Sequence, residues 1–424
     1  MFRSMPVGEM QMSTRLMMLA LGVVACALGT AAVADDYAQW RGPRRDGVSL
    51  EKNIAASWPA GGPKLLWQIK DAGFGYGSVS VAGERVVSIG STGKTDEYVQ
   101  ARSLKDGKLL WQTRIGKVGN PDQQPNYPGA RTTPTVVGTS VYALGSDGDL
   151  ACLDTVSGKV VWQKNLQRDF GGKLGIWAYS ESPLIDGDKV IVTPGGADAT
   201  VVALDRKTGA VIWKCAVPGA DVAGYASAML MESGGSKQVV QYMGKGLVGI
   251  DASTGKFLWR FDKTFDTRFQ MHAFTPIIDG NQVYTGSASA QGLARIGAAG
   301  ADAVYVDKRL PGSIGGAVKV GGYVYGASQT GLMCVEFASG KVMWEDRSVG
   351  PSQVCAVDGK LIVHGENGDV ALVAAISGAY KELGRFTPAG APDRGQAKAW
   401  AYPVVSGGKL FIRDLGVVSV YAIK

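Results

Sequence analysis

The side chains of this sequence that could carry acid–base or metal chemistry are few and scattered. There are two histidines, His272 in FQMHAF and His364 in VHGENGD. Met271 and His272 together offer two metal-type donors, but no third ligand stands at a metal-binding spacing. Two histidines and no G-x-S-x-G turn leave no hydrolase triad to assemble. Beyond the N-terminal apolar segment the cysteines are Cys152, Cys215, Cys334 and Cys355. None adjoins another, and no CxxC or CxxCH occurs, which excludes the common zinc and haem-attachment motifs. Glu181, in GIWAYSESPL, is a lone carboxylate at the start of an expected strand, whereas a calcium site needs several converging oxygens. The sequence thus nominates no catalytic residue and no metal ligand. It does offer a binding set: Arg131, Trp177, Glu181, His272 and Trp400, expected to ring one mouth of the fold. Arginine and tryptophan are the types that dominate binding hot spots. Each also has an ordinary structural role open to it. Arg131 and Glu181 could pair as ions, the two tryptophans could pack, and His272 could be a satisfied loop residue. His364, at a strand end before a turn, is given no role.

The elements that must position these residues are repeats. ARSLKDGKLLW ends at Trp111, ACLDTVSGKVVW at Trp162, ALDRKTGAVIW at Trp213, GIDASTGKFLW at Trp259 and CVEFASGKVMW at Trp344. Each places a small residue ten positions before the Trp and a Gly four before it. Apolar alternation on both sides of a turn ending in Gly predicts a β-hairpin, because Gly takes positive φ without steric cost. The small residue then falls opposite the Trp and leaves it a socket. Between these hairpins lies a second kind, as in TTPTVVGTSVYALG and ESPLIDGDKVIVTP. One of each makes a four-stranded unit. The Trp spacings of 51, 51 and 46 residues suit propeller blades.

Two further units are degraded: one carries Tyr305 near the Trp place, and one keeps Gly378 without a Trp. Counting from residue 77 gives seven complete blades, and the C-terminus then supplies three strands. PKLLWQI, with Trp67, has no hairpin partner of its own. Pairing residues 65–70 with 417–423 closes an all-β, eight-bladed ring and leaves no open edge. Trp67, Trp111, Trp162, Trp213, Trp259 and Trp344 are its expected structural tryptophans. The four cysteines fall in separate blades, too far apart for the about 7 Å that bridging requires, so free thiols are expected.

Residues 1–34 read as a cleaved signal peptide: Arg15, an apolar run from Leu16, and Ala32-Val33-Ala34 before Asp35. Cys26 in VVAC offers the rival reading of a lipoprotein box. An exported, periplasmic or extracellular chain follows, with residues 35–63 as an extended arm and 64–424 as the propeller. Without residues 1–34 the chain keeps 42 basic and 36 acidic side chains, net +6. These charges form no run longer than Arg44-Arg45, so a nucleic-acid surface is not expected. No other segment has the ~18 apolar residues of a membrane span.

The AxDxxTGKxxW pattern resembles the repeat of the pyrroloquinoline-quinone (PQQ) propeller superfamily over residues 64–424, and YAQWRGPRRDGVS resembles the arm preceding the propeller in secreted bacterial members. The resemblance implies one of two activities. Quinoprotein alcohol or sugar dehydrogenases of this fold hold PQQ and usually Ca²⁺ in the funnel, whereas cofactor-free scaffolds similar to the outer-membrane assembly factor BamB bind protein partners. The dehydrogenases carry a vicinal Cys-Cys pair, absent here. The expectation is therefore a monomeric, non-catalytic, BamB-like scaffold without cofactor, bound to a protein partner such as an envelope complex. A PQQ-dependent dehydrogenase and a carbohydrate-binding propeller are the alternatives. Any binding is expected on the face of the long inter-blade connections, such as QRDFGGKLGIWAYS and TPAGAPDRGQAKAWA.

Overall fold

The computed structural model describes residues 36–122, 129–219, 221–266, 272–312, 314 and 316–424. The leader expected over 1–34, with Cys26, and Met271 lie outside these residues. Eight sheets of antiparallel strands, taken in chain order, form the ring. Blade 1 comprises Ser80–Ala82, Arg85–Thr92, Asp96–Ser103 and Leu109–Lys117. Blades 2 to 7 span 135–165, 184–215, 229–261, 277–307, 317–346 and 352–386. Blade 8 takes three strands from 404–422 and its outermost strand, Leu65–Ile69, from the other end of the chain. Trp67 faces Val420 and Gln68 faces Ser419 in that closing pair. The strand count had required this closure. Among the described residues no helix is long and apolar enough to cross a membrane.

A backbone hydrogen bond recurs in all eight blades, tying the turn between the first two strands to the end of the third, which in blades 1 to 7 leads into the turn between the last two. Leu104 N–H donates to Glu84 O in blade 1 and Phe337 N–H to Gly322 O in blade 6. Both tight turns therefore lie on one face, and the connections between blades lie on the other.

The Trp and its small residue stand opposite each other in all five strong repeats: Trp111 with Ala101, Trp162 with Cys152, Trp213 with Ala203, Trp259 with Gly249 and Trp344 with Cys334. The indole, however, reaches beyond its own blade. A Cβ on Gly158 would stand 2.6 Å from Trp111, one on Gly209 2.9 Å from Trp162, and one on Gly255 2.7 Å from Trp213. Each of these three Gly is thus the seat for the preceding blade's indole as well as a turn residue. The ring N–H completes the dock by donating to the same neighbouring turn, as from Trp111 to Thr155 O at 2.9 Å and from Trp344 to Ile376 O at 2.9 Å. Tyr305 does the same in blade 5, over Gly340 and onto Phe337 O. Trp259 alone turns inward, donating to Gln238 Oε1 at 2.7 Å within its blade. Its neighbour's hairpin is the degraded one, where Gly300 has nothing within 4 Å.

The arm is the second non-local device. Val81 N–H bonds Tyr37 O in blade 1, and Val136 N–H bonds Ala38 O in blade 2. The Arg45 guanidinium donates to Ser182 O, Pro183 O and Ala228 O at the entries of blades 3 and 4. Trp40 reaches Thr275 before blade 5, and Arg41 donates to Ala317 O in blade 6. Val48–Ser49 runs parallel to the innermost strand of blade 7, and Ser49 Oγ donates to Val405 O in blade 8. Residues 37–49 therefore bond to every blade. Arg41 and Arg45 are 2% and 3% exposed. Burial lowers the Arg45 pKa to about 9 despite the opposing charge of Glu181. The four cysteines are buried and free.

Candidate functional site

Rotational repetition brings equal offsets to the axis. Six residues stand four positions before the first residue of an innermost strand: Tyr76, Arg131, Ser180, Tyr225, Ala273 and Trp400. All six line one pocket, of about 100 Å³, together with Trp40 of the arm, Trp177, Ile314 and Tyr402. Trp40 is the arm's contribution to that lining. The rings pack edge to face: Trp40 on Tyr402 at 4.8 Å, Trp177 on Tyr225 at 5.4 Å, with Tyr76 tilted on Trp400 at 5.2 Å.

The polar ends of three of these rings are bonded within the protein. Trp40 Nε1 donates to Thr275 Oγ1 at 3.2 Å, and Trp400 Nε1 to Glu366 Oε1 at 2.8 Å. The Tyr402 hydroxyl donates to Ile314 O at 3.2 Å. Mostly ring surface therefore faces the cavity. Arg131 lies over the Tyr76 ring at 5.3 Å and donates to Gly129 O. Burial lowers its pKa, while Tyr76, Glu97 and Tyr225 favour its charge. Glu97 sits behind it, fully buried, accepting from Ser146 N–H at 2.6 Å and Ser146 Oγ at 2.7 Å. Burial pushes Glu97 up to about 7 against those bonds.

Of the five expected site residues, Arg131, Trp177 and Trp400 come together at the pocket. Glu181 and His272 do not ring the mouth. Glu181 is 3% exposed and accepts from Thr193 N–H, from Thr193 Oγ1 at 2.8 Å and from Gln241 Nε2 at 2.9 Å, tying blade 3 to blade 4. Burial raises it to about 7, opposed by the Thr193 bonds and the Arg45 charge. His272 is wholly buried; its Nε2 accepts from Asp266 N–H at 2.8 Å and its ring lies 4.7 Å from that of Tyr242. Burial lowers it to about 4. The reason is a one-residue displacement. Glu181 follows Ser180 and His272 precedes Ala273, and on extended backbone neighbouring side chains point to opposite sides.

Sequence reasoning missed Tyr76, Ser180 and Tyr225, which the shared four-residue offset would have found. It placed the arm before the propeller but had no signal for Trp40 on the axis. Among the described residues no group of three or more His, Cys, Asp or Glu is placed to hold a metal ion. The arrangement can grip an apolar or planar group against ring faces and offer it one guanidinium.

A family model described as outer membrane protein assembly factor BamB matches residues 52–173 and 95–346, more than half of the chain. BamB of Salmonella typhimurium is 30% identical over 117 residues, covering 27% of this chain and 26% of that one. BamB of Escherichia coli (strain K12) is 27% identical over 117 residues, with the same coverage of 27% and 26%. The matched stretch thus spans about a quarter of the length of these curated relatives. Among solved structures, BamB from Moraxella catarrhalis aligns with a TM-score of 0.62 at 18% identity, covering 85% of this chain and 97% of that one. A europium-containing methanol dehydrogenase aligns with 0.52 at 12% identity, covering 89% of each. At such identities both likenesses show the fold alone.

Proposed function

The chain belongs to the family described as outer membrane protein assembly factor BamB, and from that premise we propose that it is an exported, non-catalytic scaffold that binds a protein partner in the bacterial envelope. Residues 1–34 are its cleaved leader, 35–63 its arm and 64–424 its binding ring, working as a monomer in the periplasm or outside the cell.

The observation that carries this reading is the aromatic pocket on the face of the inter-blade connections. A pocket of ring faces, with the polar ends of Trp40, Trp400 and Tyr402 bonded inward, suits an anchoring side chain of another protein. A sugar would need polar partners at the ring edges, and those of Trp40, Trp400 and Tyr402 are already bonded within the chain. PQQ with Ca²⁺ does not fit the described lining residues either. They include no carboxylate for a calcium ion and a single cation, Arg131, for a quinone bearing several carboxylates.

The test is genetic. In the native host, the gene is deleted and outer-membrane β-barrel proteins are quantified by mass spectrometry. Their abundance should fall, and the unaltered gene should restore it. A Trp177→Ala/Trp400→Ala variant of equal abundance should not, whereas Val156→Ser on the opposite face should. Full restoration by the pocket variant would overturn the reading.

A further inference from the structure

The aromatic pocket does not end at the axis. It shares Ala273 and Ile314 with a second cavity of about 210 Å³. That cavity in turn shares Ala288, Ser328 and Gln329 with a third, of about 650 Å³, in the seam between blades 5 and 6. The three make one groove running outward from the axis. Small residues of two turns, GSASAQG and ASQTG, contribute Ser287, Ala288 and Ser328 to its lining. The seam lies beside the blade whose Trp place is taken by Tyr305.

The two ends differ in chemistry. At the axis the cavity has room for one side chain, well below the about 300–1,000 Å³ of a drug-sized ligand site. In the seam the lining carries Lys308, Arg309, Lys341 and Arg347 against Asp307 and Glu345. Both carboxylates are engaged within the chain: Glu345 accepts from Thr330 Oγ1 at 2.6 Å, and Asp307 accepts from Arg309 N–H at 2.9 Å. Lys308, Lys341 and Arg347 are exposed. An occupant must therefore be extended, apolar at one end and anionic along the other.

We propose that this groove binds an extended, acidic polypeptide segment, which seats one aromatic side chain in the axial pocket and lays its carboxylates over Lys308, Lys341 and Arg347. The proposal rests on the protein-binding reading above and gives that partner its chemistry. A nucleic acid would meet the same cations, but its bases would need stacking rings along the whole path, and the middle of the groove is lined by Ala, Gly, Ile, Ser, Gln, Pro and Glu366, none of them aromatic; the Glu366 carboxylate there already accepts from Trp400 Nε1.

The test uses the full-length protein and fluorescein-labelled eight-residue synthetic peptides, read by anisotropy. One peptide carries Phe at one end and Asp and Glu over the remainder, in both orders of sequence. The comparison peptides replace Phe by Ala or the acids by Lys. The acidic Phe peptide should bind about tenfold or more tightly than either. Added salt should weaken it. Lys308→Glu/Arg347→Glu should reverse the preference for acidic over basic peptides. Gln329→Trp, which obstructs the middle of the groove from an exposed position, should weaken the acidic Phe peptide while leaving the unfolding temperature unchanged. Equal binding of acidic and basic peptides, an unaltered preference after charge reversal, or tighter binding of an oligonucleotide of equal length would overturn the proposal. If the peptides fail while the Trp177→Ala/Trp400→Ala strain still loses its barrel proteins, the groove's occupant is wrong and the scaffold reading stands. If that strain is also normal, both fail.

Discussion

Replacing Gly158 by Ala tests the idea that the motif glycines are seats between blades. Gly158 has φ +70, and an added Cβ would stand 2.6 Å from both Cδ2 and Cε3 of Trp111 and 2.9 Å from Thr113 Oγ1. The indole has nowhere to go, because it is 8% exposed and its Nε1 is held by Thr155 O at 2.9 Å. Gly138, in the same blade, provides the control. It has φ +58 with nothing within 4 Å of the added carbon. Both variants bear the cost of a left-handed Ala, about 1–2 kcal/mol. Only Gly158→Ala adds the cost of overpacking, about 1–3 kcal/mol. Gly138→Ala should therefore cost about 1–2 kcal/mol and Gly158→Ala about 2–5 kcal/mol. The assay is equilibrium unfolding in urea, followed by tryptophan fluorescence and far-ultraviolet circular dichroism. A double-mutant cycle sharpens it. In a Trp111→Ala background, which itself should cost about 3–5 kcal/mol, Gly158→Ala should cost no more than Gly138→Ala. Equal losses for the two single variants, or a Gly158 cost that persists without the indole, would refute the reasoning.

Deleting residues 36–51 should lower the unfolding temperature by about 10 °C or more in a thermal scan, since it removes a bond to each blade. Within that arm, Arg45→Lys should cost about 2–5 kcal/mol in urea unfolding, because an ammonium's donors meet at one nitrogen and cannot span the three buried carbonyls that Nε, Nη1 and Nη2 reach separately. A thiol reagent should find four reactive groups in denatured, unreduced protein lacking the leader and almost none in the native state, where burial pushes Cys215 and Cys334 up to about 11 and Cys355 to about 12. His272 titrates near 4 when folded and near 6.5 when unfolded, so its share of stability is complete above about pH 6.5 and is lost as pH falls toward 4. The stability difference between wild type and His272→Gln should shrink over that window on acidification, and a constant difference would show that His272 does not titrate as placed.

The ring could be read from the sequence because its rules are local. A Gly at a hairpin turn, a Trp four residues on and a small residue across the strand are set by one hairpin's own geometry. Closure could be read as well, since Leu65–Ile69 and the three C-terminal strands each lack what the other supplies. The indole seats could not, because Gly158 answers to Trp111 in another blade. The site was half legible for a similar reason. Residue type located the connections that hold Arg131, Trp177 and Trp400, but direction on extended backbone changes with each step. Glu181 and His272, one residue off the ring positions, went into the walls instead. Buried charges such as Arg45 and Glu97 gave no sign in sequence, where a lone Arg or Glu reads as surface.

The arm and the closing strand have a consequence in time. A chain made from its N-terminus produces Tyr37, Trp40 and Leu65–Ile69 first, yet their partners include Val417–Ala422, among the last residues made. Seven blades can fold as local meanders while they emerge, but the two ends must wait for each other. Until they meet, two blade edges and a stretch of aromatic arm stay uncovered, the condition in which a β protein is most apt to aggregate. The same dependence works in reverse once the ring has shut. An opening that releases the arm must break its bonds to all eight blades together, so the closed form should persist through a slow unfolding rate more than through a large equilibrium stability.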